Sequence, residues 1–309
     1  MQRFKNILFY VDGQTEPSAT LERAVKLAES NRARLTLVDV IEPVETPEEI
    51  VERFHVQLGN LLADKRQHTL DRMAAPYQND ETVIYTRVLT GLSFIEVIRF
   101  VLTGGFDLVI KLARAPAGIG ERLFGSHDLH LLRKCPCPVL IDQPEAVGHY
   151  HKVLAAVAGT AQESGSCDKL VMDLSTSLAR RESAELDVVH AWQMPGESMF
   201  RGGRFRVPEA ELENMLDHQR DVHRAKMSNL LEPYSISADD ERVHLVKGQA
   251  AEAIQQIAGQ QSSDIIVMGT VGRVGIPGLF IGNTAEEVLQ TTGCSVLAVK
   301  PDGFESPVR

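Results

Sequence analysis

Cysteine is scarce in this chain of 309 residues, and the features of membrane and nucleic-acid proteins are missing. The four cysteines, Cys135, Cys137, Cys167 and Cys294, form no CxxC pair and no disulfide-like framework. We therefore expect reduced thiols that pack as small apolar side chains and bind no metal. No apolar run approaches the roughly 18 residues that span a bilayer. The formal net charge of −10 argues against nonspecific binding to duplex nucleic acid, which requires a basic face.

The composition that remains is that of a globular protein. Apolar residues make up 43% and charged residues 24% of the chain, and its length allows two domains that each bury a core. The opening segment MQRFKNILFY enters a predicted strand almost at once and shows no signal-peptide pattern. We therefore expect a cytoplasmic protein without membrane insertion.

One sequence frame occurs twice in the chain. The pattern DxxxxxxxxxxGIxxxxxG begins at Asp107 and again at Asp264, and 264 − 107 equals 157. The same offset relates Gly91 to Gly248, and the register continues without gaps to the last predicted strand of each half. The chain is therefore predicted to contain two copies of one module.

Each module alternates strands and helices in the same order. Runs of β-branched and apolar residues predict strands at 7–11, 34–41, 83–89, 107–112 and 139–141, and again at 152–157, 186–191, 243–246, 264–268 and 296–299. Helical spacing predicts the connections, including a long helix that begins with the capping residues Thr46, Pro47 and Glu49. Such alternation requires right-handed parallel connections. The predicted fold is α/β, with two tandem doubly wound, Rossmann-like parallel-sheet domains at residues 1–143 and 150–309.

A glycine-rich segment, GTVGRVGIPGLFIGN, joins the predicted strand at 264–268 to the following helix. In doubly wound sheets, ligands bind beyond the carboxyl ends of the strands, where this loop lies. Its last residues open a helix whose dipole and unpaired N–H groups favour an anion, although the same residues are also suitable as ordinary helix caps. The candidate ligand-binding residues are Gly269, Gly272, Arg273, Gly282, Asn283 and Thr284.

These residues resemble a known family. The spacing of Gly269, Gly272 and Gly282, the opening ILFYVDG and the segments HLLRKCPCPVL and GNTAEEVL are similar to the universal stress protein family in its tandem, bacterial E-type form. The resemblance covers both halves and implies a fold like that of the adenine-nucleotide α-hydrolases. It also implies that the first two glycines let the backbone approach phosphates. Asn283 stands where the family has Ser or Thr.

The resemblance further implies a ribose and base end in each domain, formed by an aspartate after the first strand and a small apolar residue after the second. The first domain offers Asp12 and Val40 for these positions. It has Leu112 in place of the first glycine, so that only Gly125 and Ser126 remain of the glycine signature. A leucine side chain would occupy the space that a phosphate needs, so we expect the first domain to be degenerate.

The second domain has the opposite pattern. It retains the glycine loop, but Ala158 and Ala191 stand at the positions of the aspartate and the small apolar residue. The phosphate end of the site is therefore present, and the carboxylate at the ribose end is missing. The resemblance implies a noncatalytic stress-response protein in which ATP or another adenine nucleotide is a candidate ligand of the second domain. It also implies that the two domains pair within one chain as two subunits would.

Two other hypotheses remain open. One is a carrier of an amphipathic, anionic, lipid-like ligand, held by the glycine loop and by the segment from Met194 to Val207, in which methionines and phenylalanines alternate with arginines. That segment is equally suited to packing on the other domain. The other hypothesis is a slow ATPase, which needs a metal-binding carboxylate and a residue that orients water. Neither residue is identifiable near the loop, so we expect no catalytic residue.

One cluster of potential metal ligands was considered as well. His127 and His130 are three residues apart, and Asp128 lies between them. A zinc site needs three or four convergent ligands, and no further partner is evident in the sequence. We therefore predict no metal site.

Overall fold

The computed structural model describes residues 4–47, 57–79, 82–113, 126–143, 149–159, 167–202, 207–270 and 282–309. In the first half the elements are β1 (Asn6–Tyr10), α1 (Ala19–Asn31), β2 (Arg34–Ile41), α2 (Leu58–Ala74), β3 (Ile84–Thr90), α3 (Ser93–Gly104), β4 (Leu108–Leu112), α4 (Ser126–Lys134) and β5 (Val139–Asp142). In the second half they are β6 (Lys152–Ala156), α5 (Asp168–Glu182), β7 (Glu185–Trp192), α6 (Glu197–Gly202), α7 (Glu209–Leu231), β8 (Val243–Lys247), α8 (Ala250–Gln261), β9 (Ile265–Gly269), α9 (Asn283–Thr291) and β10 (Ser295–Val299).

All ten of these strands form one sheet in the order β3-β2-β1-β4-β5-β10-β9-β6-β7-β8. Neighbouring strands within each half are parallel, whereas β5 and β10 are antiparallel. At this junction Leu140 pairs with Leu297, the residue 157 positions later. The two halves are therefore related by an approximate twofold axis between β5 and β10, and their carboxyl ends lie on opposite edges of the sheet.

Helices cover both faces of the sheet, which explains why its strands are continuous apolar runs. One core cluster lies under α1, α2, α5 and α7 and includes Leu21, Met73, Val171 and Met227. The other lies under α3, α4, α8 and α9 and includes Val97, Leu131, Ile254 and Val288. Each cluster contains residues from both halves. The alternation of strands and helices thus produces the α/β fold that the sequence predicts.

Element boundaries agree with the sequence predictions to within one residue at each strand end. The helix after β2 differs more. Its described part begins at Leu58 rather than at Pro47, and the backbone N–H of Leu58 donates a 2.8 Å hydrogen bond to Oγ1 of Thr46. Residues 48–56, which include Glu49, lie outside the described residues. Among the helices that are described, none is long and apolar enough to cross a membrane.

Candidate functional site

The predicted glycine loop starts and ends at adjacent positions in the second half. β9 ends at Gly269, and the backbone N–H of Gly282 donates a 2.8 Å hydrogen bond to the carbonyl of Thr270. A Cβ atom at Gly269 would lie 3.1 Å from Cβ of Cys167, so only glycine fits there without movement. Residues 271–281, with Gly272 and Arg273, lie outside the described residues. The end of the strand and the start of the next helix are thus held together at one edge of the sheet.

The backbone N–H groups at the N-terminus of α9 are not used within the helix. Gly282 is the N-cap, and no side chain in the described part of the chain caps the helix. Asn283 and Thr284 are its first two residues, so neither has the capping role that the sequence also allowed. The N–H groups of the first turn have no intrahelical acceptors, and together with the helix dipole they favour an anion.

A basic side chain from the other domain lies beside this helix start. Nη2 of Arg133, on α4, is 2.7 Å from Oε1 of Glu286, which is in the first turn of α9. The pairing offsets the negative charge that Glu286 would present to an anionic ligand. Arg133 was not identified from the sequence, because its partner is far away in the chain and belongs to the other half.

The predicted base and ribose end of the second domain consists of small residues at the ends of β6 and β7. Ala158 is exposed, and its backbone N–H donates a 2.8 Å hydrogen bond to Oδ1 of Asp168. Ala191 is partly buried. The two strands are parallel neighbours, so these alanines lie at the same edge of the sheet. That edge is also where β9 ends, because β9 is parallel to β6 on its other side.

His190, which precedes Ala191 in β7, pairs with a second histidine. Nδ1 of His190 is 3.1 Å from the carbonyl oxygen of Val157, and its Nε2 is 2.8 Å from Nδ1 of His223 on α7. Because the carbonyl can only accept, Nδ1 of His190 carries a proton. In the neutral pair, Nε2 of His190 then accepts from His223. The ring of Trp192 stacks on His223 with a centroid distance of 5.8 Å.

The first domain has an ion pair at the corresponding position. Asp39 and His190 are each the sixth residue of the second strand in their half. The carboxylate of Asp39 is paired with Nε of Arg66 on α2 and accepts the backbone N–H of Gly13 at 3.3 Å. Burial raises the pKa of Asp39, although Arg66 lowers it. The sixth residue of the second strand is therefore paired in both domains. In the first domain it forms an ion pair, and in the second it forms a hydrogen bond between two imidazoles.

The ribose and base end of the first domain is occupied by an internal cation. Lys111 is completely buried, and its Nζ lies 3.0 Å from Oδ2 of Asp12 and 2.6 Å from Oδ1 of Asp128. The hydroxyl of Tyr10 donates a 2.9 Å hydrogen bond to Asp12. Burial and the charge of Asp12 raise the pKa of Tyr10, so the phenol keeps its proton. The carboxylate that resemblance places near a ribose is thus engaged by a lysine of the same domain.

The other predicted residues of the first domain are Val40, Ser126 and Gly125. Val40 is partly buried and packs on the core beneath α3 and α4. Ser126 is the first residue of α4, but its side chain is not described. Gly125 lies outside the described residues. Lys111 was not predicted from the sequence, because it lies inside an apolar run. The feature that could have indicated it is the single charged residue in a strand that is otherwise apolar.

The candidate metal cluster has other contacts. Asp128 is paired with Lys111, and the ring of His130 stacks on Phe94 with a centroid distance of 4.3 Å. The side chain of His127 is outside the described residues. Across the described residues, no group of three or more His, Cys, Asp or Glu side chains is arranged to hold a metal ion.

The segment from Met194 to Val207 contains the short helix α6. Met194 is buried, whereas Met199 is 57% exposed. Arg201 is 3.0 Å from carboxylate oxygens of both Glu197 and Glu209. Residues 203–206, with two further arginines of the segment, lie outside the described residues. The described arginine is therefore held by two acidic side chains of its own domain.

A cavity of about 250 Å³ lies at the junction of the two domains. Its floor includes Leu140 and Leu297, and its walls come from α1 and α5. At one end the buried carboxylate of Asp142 is paired with Arg23 and accepts a 2.6 Å hydrogen bond from the hydroxyl of Tyr150. The described lining of the cavity is thus mainly apolar, and it includes neither Gly269 nor Gly282, the described ends of the glycine loop.

Two doubly wound domains that join through their last strands, one with a glycine loop at the carboxyl ends of its strands, define a class of tandem α/β protein. The family model described as the universal stress protein family matches residues 3–142 and 149–300. The chain therefore belongs to the universal stress protein family.

Individual relatives agree with this assignment. The chain is 30% identical over 318 residues to universal stress protein E of Escherichia coli K12, covering 100% of this chain and 98% of that protein. It is 25% identical to the universal stress protein E homolog of Haemophilus influenzae, covering 97% and 98%. A solved structure of a functionally unknown Pseudomonas aeruginosa PAO1 protein has a TM-score of 0.72 at 23% identity, covering 98% and 95% of the two chains. A universal stress protein of Archaeoglobus fulgidus has a TM-score of 0.62 at 14% identity, covering 96% and 98%. These two structures share the fold.

Proposed function

We propose that this protein is a noncatalytic stress-response protein whose second domain binds an adenine nucleotide such as ATP. The observation that carries the proposal is the uncapped N-terminus of α9, which the hydrogen bond from Gly282 to Thr270 holds next to the end of β9. Three backbone N–H groups in the first turn of a helix are an established form of phosphate site.

Two further observations support the second domain rather than the first. A side chain at Gly269 would require Cys167 to shift, so the backbone at the start of the loop stays bare in the second domain. In the first domain Lys111 and its two carboxylates place internal charges at the ribose and base end, where the second domain has Ala158. We propose that Gly269, Gly272, Arg273, Gly282, Asn283 and Thr284 form the phosphate end of the site and that Ala158 and Ala191 lie at the base end.

The proposal is tested by calorimetric titration with ATP. Asn283→Pro removes one backbone donor from the first turn of α9 at a position where helices tolerate proline. Since a hydrogen bond to a charged group contributes about 1.5–3 kcal/mol, the affinity for ATP should fall at least about tenfold. Ser126→Pro makes the matched change at the start of α4 and should leave ATP binding unchanged. Equal affinity in wild type and Asn283→Pro, or no binding by the wild type, would overturn the proposal.

A second candidate ligand, amphipathic and anionic, is favoured by one specific observation, the apolar cavity between the domains. The cavity lies at the domain junction. The Met194 to Val207 segment supports such a ligand less, because its described arginine is paired with acidic residues. Mass spectrometry of small molecules that copurify with the protein separates the candidates. A nucleotide supports the first proposal, and an acylated compound supports the second.

The noncatalytic part of the proposal has its own test. A slow ATPase would release phosphate from ATP above background, and Gly282→Val would abolish this release. That pair of results would contradict the proposed noncatalytic role.

We also propose that the domains span residues 1–143 and 150–309 and that the protein is cytoplasmic.

A further inference from the structure

Two thiols lie in contact on the turn between α4 and β5. The Sγ atoms of Cys135 and Cys137 are 3.6 Å apart, and one thiol donates its hydrogen to the other sulfur. Cys135 is 0% exposed and Cys137 is 9% exposed. Only Pro136 separates the two cysteines in the chain. Their sulfur atoms therefore stay close without a movement of distant parts of the chain.

A buried cation lies close to this pair. Nζ of Lys300, the residue after β10, donates hydrogen bonds to the carbonyl of Leu132 and to Oγ1 of Thr270. Burial lowers the pKa of Lys300 to about 8, and the charges of Cys135 and Cys167 oppose that shift. At neutral pH Lys300 is therefore mainly protonated, and its field favours a thiolate on the neighbouring cysteine.

The two thiols are not equivalent. Burial raises the pKa of Cys135, but the hydrogen bond from Cys137 and the charge of Lys300 outweigh it, and the net shift is downward. The pKa of Cys137 is raised well above its ordinary value by its hydrogen bond with Cys135 and by burial. Cys135 is thus the thiol on which the charge of Lys300 acts, and the sulfur of Cys137 lies 3.6 Å from it.

The second half provides an internal comparison. Cys294 stands 157 residues after Cys137, but the position of Cys135 holds Thr292. Oγ1 of Thr292 accepts the backbone N–H of Cys294 at 3.2 Å, and Sγ of Cys294 donates to the carbonyl of Ser263 at 3.0 Å. The repeated turn is therefore formed without a second thiol. The Cys135 thiol is not required to build this part of the fold.

We propose that Cys135 and Cys137 form a modification site that reacts with hydroperoxides and is converted to a disulfide. The Cys135 thiolate attacks one peroxide oxygen and the O–O bond breaks, which gives a sulfenic acid on Cys135 and releases hydroxide. The sulfur of Cys137 then attacks Sγ of Cys135. The thiol proton of Cys137 passes to the hydroxyl of the sulfenic acid, which leaves as water. The hydroxide from the first step is neutralised by the proton that Cys135 lost when it became a thiolate. Overall, the two thiols lose two electrons and two protons, and hydrogen peroxide is reduced to two molecules of water.

The test uses the full-length reduced protein and hydrogen peroxide at pH 7.5. After quenching, the protein is unfolded and alkylated, and the peptide that contains both cysteines is analysed by mass spectrometry. We expect this peptide to lose two hydrogens and resist alkylation until a reductant is added, while Cys294 is alkylated throughout. Alkylation of Cys135 and Cys137 at the same extent before and after peroxide would overturn the proposal.

Two variants distinguish the site from general thiol oxidation. Cys135→Thr copies the arrangement of the second half, and it should abolish the reductant-sensitive product while the circular dichroism spectrum is retained. Lys300→Met removes the nearby cation, so the thiol pKa should rise and oxidation at pH 7.5 should slow, up to about tenfold. Cys294→Ser should leave the rate unchanged. Disulfide formation in Cys135→Thr, or equal rates in Lys300→Met and wild type, would contradict the proposed roles.

Discussion

Lys111 and Asp128 form a buried ion pair, with Nζ and Oδ1 2.6 Å apart, that connects β4 to α4 in the first domain. The positions 157 residues later hold Met268 and Ala285, which are both buried and apolar. The same positions of the repeat are therefore charged in one domain and apolar in the other. The first domain fills them with charges that are neutralised within the protein, and the second keeps them apolar where β9 ends and α9 begins.

Removal of this lysine should strongly destabilise the protein. Lys111→Met leaves the carboxylates of Asp12 and Asp128 buried without their shared cation, and breaking a buried pair in this way costs about 3–5 kcal/mol. The free energy of unfolding, measured with urea, should fall by that amount. In Lys111→Met with Asp128→Ala, which copies the second domain, much of the loss should be recovered. A double variant that is less stable than Lys111→Met would contradict this account.

The reverse exchange should block the proposed ligand site. Met268→Lys with Ala285→Asp introduces a neutral ion pair where the first domain has Lys111 and Asp128. Because the new charged side chains stand next to the end of β9 and in the first turn of α9, calorimetry should show loss of ATP binding. Met268→Leu, a swap of similar volume, should bind ATP like the wild type. If the double variant folds, as judged by circular dichroism, and binds ATP normally, this space does not control binding.

The stability of the protein should depend on pH through Lys300. Burial lowers the pKa of this lysine in the folded state to about 8, from an ordinary value of 10.5. Between these pH values the unfolded chain binds more protons than the folded protein, so the contribution of Lys300 to stability increases as the pH rises. The stability of wild type relative to Lys300→Met should rise by up to about 1.4 kcal/mol per pH unit above pH 8. Urea unfolding of both proteins under reducing conditions from pH 7 to 9.5 measures this difference in the free energy of unfolding. A difference that stays constant with pH would refute the prediction.

Local patterns were sufficient to predict the fold, because strands and helices depend on spacing that is visible within a few turns. The repeated frame from Asp107 and from Asp264 also led to the predictions of a glycine loop site in the second domain and of a degenerate first domain. Lys111 was missed because the apolar residues around it dominate the pattern of its strand. Its partner Asp128 lies in another element, and the contact between Arg133 and Glu286 crosses the domain junction. Pairings of this kind depend on tertiary structure, which periodicity does not report.

The junction itself offers a last prediction through Tyr150, which precedes β6 and is buried against the first domain. Its hydroxyl donates a 2.6 Å hydrogen bond to Asp142 and accepts one of 3.1 Å from Arg23. Tyr150→Phe removes one of the buried partners of that carboxylate, so the free energy of unfolding should fall by about 1–3 kcal/mol. Tyr234 is the matched control, since its hydroxyl also bonds a carboxylate, that of Asp173, but in a partly exposed setting. Tyr234→Phe should therefore cost less, and equal losses in the two variants would show that burial at the junction adds nothing to this hydrogen bond.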